Sequence, residues 1–264
     1  MLLIIEALLL LAAVGQDHKA AAEKILLLDM ALNSVDDQYD GCREKIGNLV
    51  ETEYLKKEMN NSSEFNDTWL DGVNKAKKPE DNLKQIHSIA LYVYTNNNSN
   101  VYRDLNNAVR REKQKYKEGT FKWYSLHFLL TEAIQILKKT QNRCYNTYRG
   151  TSVEFDKNVL KKEVRFGSFT SSTLDQKVAS DFGFKSCFAI ETCEGAEVIK
   201  YSKYPDQREV LIPPYEQFKV TAVKTRRDDK YLWCDTVFTL KTYRKISYLN
   251  CGVNTKAVQE REKL

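Results

Sequence analysis

The chain has few histidines, prolines and glycines, and it contains no apolar run long enough to cross a bilayer. None of its three histidines, His18, His87 and His127, is placed by sequence to activate Ser171. A Ser-His-Asp hydrolase is therefore not encoded in any recognisable order. The six cysteines, Cys42, Cys144, Cys187, Cys193, Cys234 and Cys251, include no Cys-x-x-Cys pair. With so little histidine beside them, the spacing of a metal site is missing and no metal is expected. A sustained basic face is missing too. The net charge is +5, and the densest cluster, Lys224-Thr225-Arg226-Arg227, is followed at once by Asp228 and Asp229. No nucleic-acid partner is expected from that pattern. The last residues, Gln259 to Leu264, are charged rather than apolar, so neither a GPI signal nor another stable membrane anchor is read there. There is no internal repeat and no Pro- or Ser-rich linker to divide the chain.

With 264 residues, 42% hydrophobic and 29% charged, the chain can bury a substantial core as a globular protein. Leu2 to Val14 is apolar except for Glu6, and small residues follow at Ala12, Ala13 and Gly15. A run of that length suits the h-region of a signal peptide over residues 1–20. The competing reading is an amphipathic N-terminal helix, because no Lys or Arg precedes the run. Four sequons, beginning at Asn60, Asn61, Asn66 and Asn97, fit the N-glycosylation acceptor pattern. An even cysteine set without metal spacing reads as disulfides of an oxidising compartment. A secreted, monomeric, disulfide-bonded glycoprotein is the expectation.

The first half reads helical. Val101, Leu105, Ala108 and Val109 share one face, and Trp123, Leu126, Leu130, Ala133, Ile134 and Leu137 recur at helical spacing, the mark of amphipathic helices. Segments 36–57, 64–78 and 81–94 are also predicted helices, and 96–100 is a loop. After Cys144, short runs rich in β-branched and aromatic residues predict strands over 164–171, 187–192, 198–201, 209–212, 218–225 and 231–240. Pro213-Pro214 must end the strand that starts at Glu209. Helices first and strands second predict an α+β domain, with a helical half over 36–140 packed on a mainly β half over 144–251 of mixed or antiparallel sheet.

Three short blocks in the strand half carry candidate chemistry: Tyr148-Arg149-Gly150, Phe169-Thr170-Ser171-Ser172-Thr173, and Gln207-Arg208-Glu209-Val210-Leu211-Ile212-Pro213-Pro214. A guanidinium at a strand end can fork onto a phosphate, and the glycine beside it lets a flat ligand approach the backbone. Glu209 opens an apolar strand, at the rim of a sheet or cleft. Taken singly, Arg149 reads by default as a surface arginine, and Ser171 reads at least as readily as a structural hydroxyl. Their order and context give the combination its meaning.

In that combination the chain resembles the arginine-specific ecto-ADP-ribosyltransferases of vertebrates and, more distantly, bacterial toxins of the Arg-Ser-Glu class. The likeness runs from about Asp36 to Cys251 and rests on Asp36-Asp37-Gln38-Tyr39-Asp40-Gly41-Cys42, Tyr148-Arg149-Gly150, the stretch Arg165 to Ser172, and Glu209 to Pro214. It implies a single catalytic domain over 21–260 that uses NAD as co-substrate, without metal, and acts on arginine-bearing extracellular proteins. By the same resemblance Arg149 would hold the NAD phosphate and ribose side and Ser171 would orient the catalytic acid. Glu209 would be that acid, Gly150 would read the nicotinamide amide through its backbone, and Phe182 would stack on nicotinamide. The family also pairs cysteines as Cys42 with Cys251 and Cys144 with Cys193. Cys187 and Cys234 are left either to pair or to remain buried thiols.

One position departs from the pattern. Arginine-directed members carry Glu-x-Glu, whereas this chain has Gln207-Arg208-Glu209. A glutamine amide accepts a hydrogen bond but carries no charge to pair with an arginine substrate. Gln207, in the acceptor-positioning place, is thus expected to weaken transfer relative to NAD hydrolysis. Asp206 beside it is a substitute acid if the loop shifts. A catalytically silent binding module is the reading from another class, and intact Arg149, Ser171 and Glu209 argue against it.

Overall fold

A computed structural model describes residues 25–252 of the protein. The expected leader over 1–20, His18 and the charged C-terminal residues lie outside the described residues. The N-terminal half is helical: α1 (Arg43–Leu49), α2 (Leu55–Asn61), α3 (Ser63–Lys75), α4 (Gln85–Thr95), α5 (Val101–Arg111), α6 (Lys113–Glu118) and α7 (Tyr124–Gln141), with a π-helical turn, Val50–Tyr54, joining α1 to α2. The predicted stripes are the buried faces: Val101, Leu105, Ala108 and Val109 on α5, and Leu126, Leu130, Ala133, Ile134 and Leu137 on α7. The Ser62 hydroxyl accepts the Phe65 amide at 3.2 Å and starts α3, as an N-cap should.

The strands are β1 (Tyr145–Thr151), β2 (Glu163–Val164), β3 (Thr170–Thr173), β4 (Ser186–Thr192), β5 (Ala196–Glu197), β6 (Glu209–Ile212), β7 (Glu216–Thr225) and β8 (Thr236–Lys245), with α8 (Gln176–Asp181) between β3 and β4. They lie in the order β2-β7-β8-β4-β1-β3-β6-β5. The β4–β8 pair is parallel and the other neighbours are antiparallel, giving the mixed sheet of an α+β protein. β1 pairs with β4 along its whole length, yet touches β3 through Tyr148↔Thr173 alone. The sheet therefore opens at β1 and β3 into two wings.

Each wing closes a core of its own. Phe169, Ala196, Val198 and Leu211 of the β3-β6-β5 wing join the helical core built on α4, α5 and α7. Phe188, Ile190, Phe218, Val220, Phe238 and Leu240 form a second core in the other wing. Ile212 of β6 also packs into this second core, so the two wings share a contact, and burial on that scale, the main favourable term in folding, holds both walls of the opening.

Several predicted boundaries shift. Helix begins at Arg43 rather than Asp36, because Asp36 and Asp37 are buried and bind backbone amides that no helix would present to them. Asp36 accepts from the Tyr248 and Leu249 amides at 3.0 Å each, and Asp37 from the Tyr39 amide at 2.7 Å and the Tyr116 hydroxyl at 2.9 Å. The predicted strand 164–171 is two short strands. Between them Arg165 turns inward onto Asp36 at 2.6 Å, and Gly167 adopts φ +71° with its missing side chain replaced by Ala31. Residues 198–201 form a turn closed by Tyr201 N to Val198 O at 2.9 Å. The last strand starts at Thr236 because Asp229 holds Tyr231 and Leu232 in a turn. Disulfides join Cys42 to Cys251, Cys144 to Cys193 and Cys187 to Cys234. The third is the pair that the sequence left open between a bridge and two thiols.

Candidate functional site

The three sequence blocks converge where the sheet opens. Tyr148, Thr173 and Glu209 are lateral neighbours across β1, β3 and β6, through the pairs Tyr148↔Thr173 and Thr173↔Glu209. Arg149 follows Tyr148 on β1, and its Nη1 donates to the Ser171 carbonyl at 2.6 Å. A solvent-open cleft of about 860 Å³ lies along this divide, with Arg149, Ser171, Gln207 and Glu209 in its lining. Its concavity, with aromatic side chains and a few convergent polar groups in the lining, suits a small-molecule site.

Glu209 is 5% exposed, at the first position of β6. Burial raises its carboxyl above the ordinary value, while hydrogen bonds from Ser171 and Ser202 and the Arg149 charge pull it back down. Arg149 is itself lowered by burial, against the pull of Tyr94, Glu209 and Tyr102. A charged group that is both desolvated and partnered inside a cleft is the usual signature of a working site. Such a carboxylate can stabilise a cation forming beside it, and the guanidinium can hold an anion.

Gly150 has a packing role besides the one expected from the sequence. A side chain there would come within 2.1 Å of the Ala179 carbonyl and 2.4 Å of the Gly183 carbonyl. The missing Cβ thus admits the end of α8 and the turn after it, as well as leaving backbone in the cleft lining. That close packing carries Phe182 to the cleft, where its ring is 54% exposed and free to meet a flat ligand. Gln207 closes the 3-10 turn Pro205–Gln207 and faces the cleft. Asp206 and Arg208 are exposed and do not line it.

Tyr94, at the end of the predicted helix 81–94, is buried in the helical core, and it is also part of the site. Its hydroxyl donates to the Phe169 carbonyl at 3.1 Å and accepts from Asn106 at 3.0 Å. Burial, with Glu209 nearby, pushes its pKa up to about 12. Tyr102, Tyr204, Asn97 and Ser202 were missed as well. Asn97, Tyr102 and Tyr204 reach the cleft from the turn after α4, the start of α5 and the turn before Gln207, and buried Ser202 acts on the site through its hydrogen bond to Glu209. The polar cluster 95–100 after an apolar helix was the one local hint. His87 and His127 lie away from the cleft: His87 pairs with Glu132 at 2.8 Å, and His127 lies between the Tyr39 hydroxyl and the Val35 carbonyl. Among the described residues, no group of three or more His, Cys, Asp or Glu could hold a metal, and no helix is long and apolar enough to cross a membrane.

The fold is shared with a solved mono-ADP-ribosyltransferase. The eukaryotic mono-ADP-ribosyltransferase ART2.2 superposes with a TM-score of 0.71 at 33% identity, over 86% of this chain and 98% of that one. Its glutamate-to-alanine variant, solved with NADH, gives 0.72 at 32% identity over the same shares. The NAD:arginine ADP-ribosyltransferase family matches residues 28–236, and the chain belongs to that family. The erythroblast NAD(P)(+)–arginine ADP-ribosyltransferase of Gallus gallus is 34% identical over 274 residues, 96% of this chain and 87% of the relative. Ecto-ADP-ribosyltransferase 5 of Rattus norvegicus is 34% identical over 89% of this chain and 78% of its own length.

Proposed function

We propose that the protein binds NAD in the cleft between the two wings, cleaves its nicotinamide–ribose bond and passes ADP-ribose to arginine on extracellular proteins, with a large share lost to water. The observation that carries this reading is the buried Glu209 carboxylate, next to the Ser171 hydroxyl and Arg149 at the open seam of the sheet.

Arg149 binds the phosphate and ribose side of NAD. Ser171 and Ser202 hold Glu209 in one orientation. Phe182 packs on the nicotinamide ring, and the Gly150 backbone reads its carboxamide. As the C1′–N bond breaks, the electron pair leaves with nicotinamide and positive charge develops on the ribose. A preplaced carboxylate binds that state more tightly than neutral ribose, which lowers the barrier. An arginine nitrogen or a water molecule then bonds to C1′ and releases one proton.

Gln207 governs that last choice. It lines the cleft where an arginine must dock, but it offers an amide instead of a carboxylate, while Asp206 points to solvent. Near-exclusive NAD hydrolysis is the second reading, and this same observation favours it. The ecto-enzyme relatives and the three disulfides support an extracellular setting.

Labelled NAD with agmatine tests the scheme, by following nicotinamide release and ADP-ribosyl-agmatine together. Release with adduct supports transfer. Release alone leaves the glycohydrolase, and absence of both ends the enzymatic reading. Gln207→Glu is expected to raise the ratio of adduct to hydrolysis.

A further inference from the structure

Of the four sequons, one opens onto the cleft. Asn60 and Asn61 lie in the last turn of α2, and the Ser62 hydroxyl needed by Asn60 caps α3. Asn66 sits inside α3, where the Thr68 hydroxyl donates to the Glu64 carbonyl at 2.7 Å. Asn97 is different: it is exposed in the turn between α4 and α5 and lines the cleft.

The turn that carries Asn97 is fastened to the turn that carries Gln207. The Tyr204 hydroxyl donates to Asn97 Oδ1 and, at 3.2 Å, to Asn98 Oδ1. The Lys203 ammonium donates to Asn96 Oδ1 at 2.7 Å, and the Lys203 amide to Thr95 Oγ1 at 2.9 Å. The first of these bonds engages the oxygen of the Asn97 amide. Among the described residues its Nδ2, the atom that a glycan would use, donates to none.

We propose that Asn97 carries an N-linked oligosaccharide that stands at the mouth of the cleft beside Tyr204 and Gln207 and restricts which acceptors reach C1′. The donor class is a lipid-diphosphate-linked oligosaccharide. Asn97 Nδ2 bonds to its first sugar carbon, the carbon–oxygen bond to the diphosphate breaks, the diphosphate keeps the electron pair, and the amide gives up one proton. The Tyr204–Asn97 hydrogen bond survives because Oδ1 is untouched. A bulky, hydrated chain at that place hinders a folded protein far more than water or a small guanidine, so it reinforces the hydrolytic bias of Gln207.

This inference rests on the proposed reaction, and three measurements separate the two. The full chain is secreted from a glycosylating host as wild type and as Ser99→Ala, which removes the sequon but keeps Asn97 and Tyr204. Glycopeptide mass reads occupancy of Asn97, whether or not the protein turns over NAD. Nicotinamide release is expected to be equal in the two forms, and agmatine transfer equal, while ADP-ribosylation of an arginine-rich protein rises several-fold in Ser99→Ala. Binding of the same arginine-rich protein to the enzyme in the absence of NAD probes the mouth without turnover and is expected to tighten several-fold in Ser99→Ala. An unmodified Asn97, or an occupied Asn97 with protein modification and protein binding both unchanged, overturns the inference and leaves the reaction standing. Absence of nicotinamide release from both forms overturns the reaction, and the binding measurement then decides the gate.

Discussion

Arg165 and Arg149 both sit in blocks that mark the family, and their surroundings could hardly differ more. Arg165 donates to the Met30 carbonyl at 2.8 Å, Asp36 at 2.6 Å, Ile246 O at 3.2 Å and Ala31 O at 3.1 Å, with its guanidinium 5.2 Å from the centre of the Tyr248 ring. Its neighbours satisfy it, so it has nothing to offer a ligand. Arg149 donates once, to the Ser171 carbonyl, and among the described residues its Nε and Nη2 make no other hydrogen bond. Arg149 is half-buried at the cleft, so its unpaired donors face the opening and are available to a ligand. The saturated network around Arg165 ties segments 30–36 and 246–248 to the fold, whereas Arg149 keeps donors free at the site.

The comparison breaks most visibly on the structural side. Arg165→Ala leaves Asp36 charged, buried and without its ion partner, a loss expected to cost about 3–5 kcal/mol. Secreted yield and melting temperature should both collapse. If the variant is secreted normally and melts like wild type, the contrast is wrong.

Glu209→Gln should do the reverse. Removing a preplaced charge partner costs about 10²–10³ in rate, read as nicotinamide release, without lowering the melting temperature. The sign follows from the shift: burial raises the Glu209 pKa, so the charged form is the one that folding disfavours at neutral pH. The same shift predicts that turnover falls as pH drops through a value above that of an ordinary glutamate.

A smaller effect is expected from Gly150→Ala. Its new methyl meets the Ala179 and Gly183 carbonyls, and such overpacking costs about 1–3 kcal/mol. Because those atoms support Phe182, KM for NAD should rise more than kcat falls. An unchanged KM would detach Phe182 from substrate binding.

The mildest test concerns acids outside the cleft. Burial pushes Glu58 up to about 8 and Glu216 up to about 7. For a carboxyl raised on folding, stability is fully present below the unfolded value near 4.5 and is lost as pH rises through the folded one. Melting temperature measured from pH 4.5 to 8.5 should therefore carry a fall from these groups, and Glu58→Gln should flatten part of it.

Much of this was legible in one dimension. The α5 and α7 stripes, the strand from Glu209 to Ile212 ended by Pro213-Pro214, and the order Arg149, Ser171, Glu209 are local patterns, fixed by side-chain periodicity and backbone chemistry. The boundaries that moved, at Arg43, Arg165 and Thr236, moved for long-range reasons. Asp36 is not helical because it binds amides more than two hundred residues away, and no spacing rule within a window can see such a bond.

The sequence by itself determined the class of fold, the family and the identity of the charged pair at the cleft, because each depends on short patterns of residues near one another in the chain. The tertiary structure alone decided that Tyr94, Ser202 and Tyr204 complete the site, that Gly150 makes room for the turn bearing Phe182, and that the Asn97 sequon opens beside Gln207. Those relations arise where separate elements pack together, and packing distances are written in the fold rather than in the order of the residues.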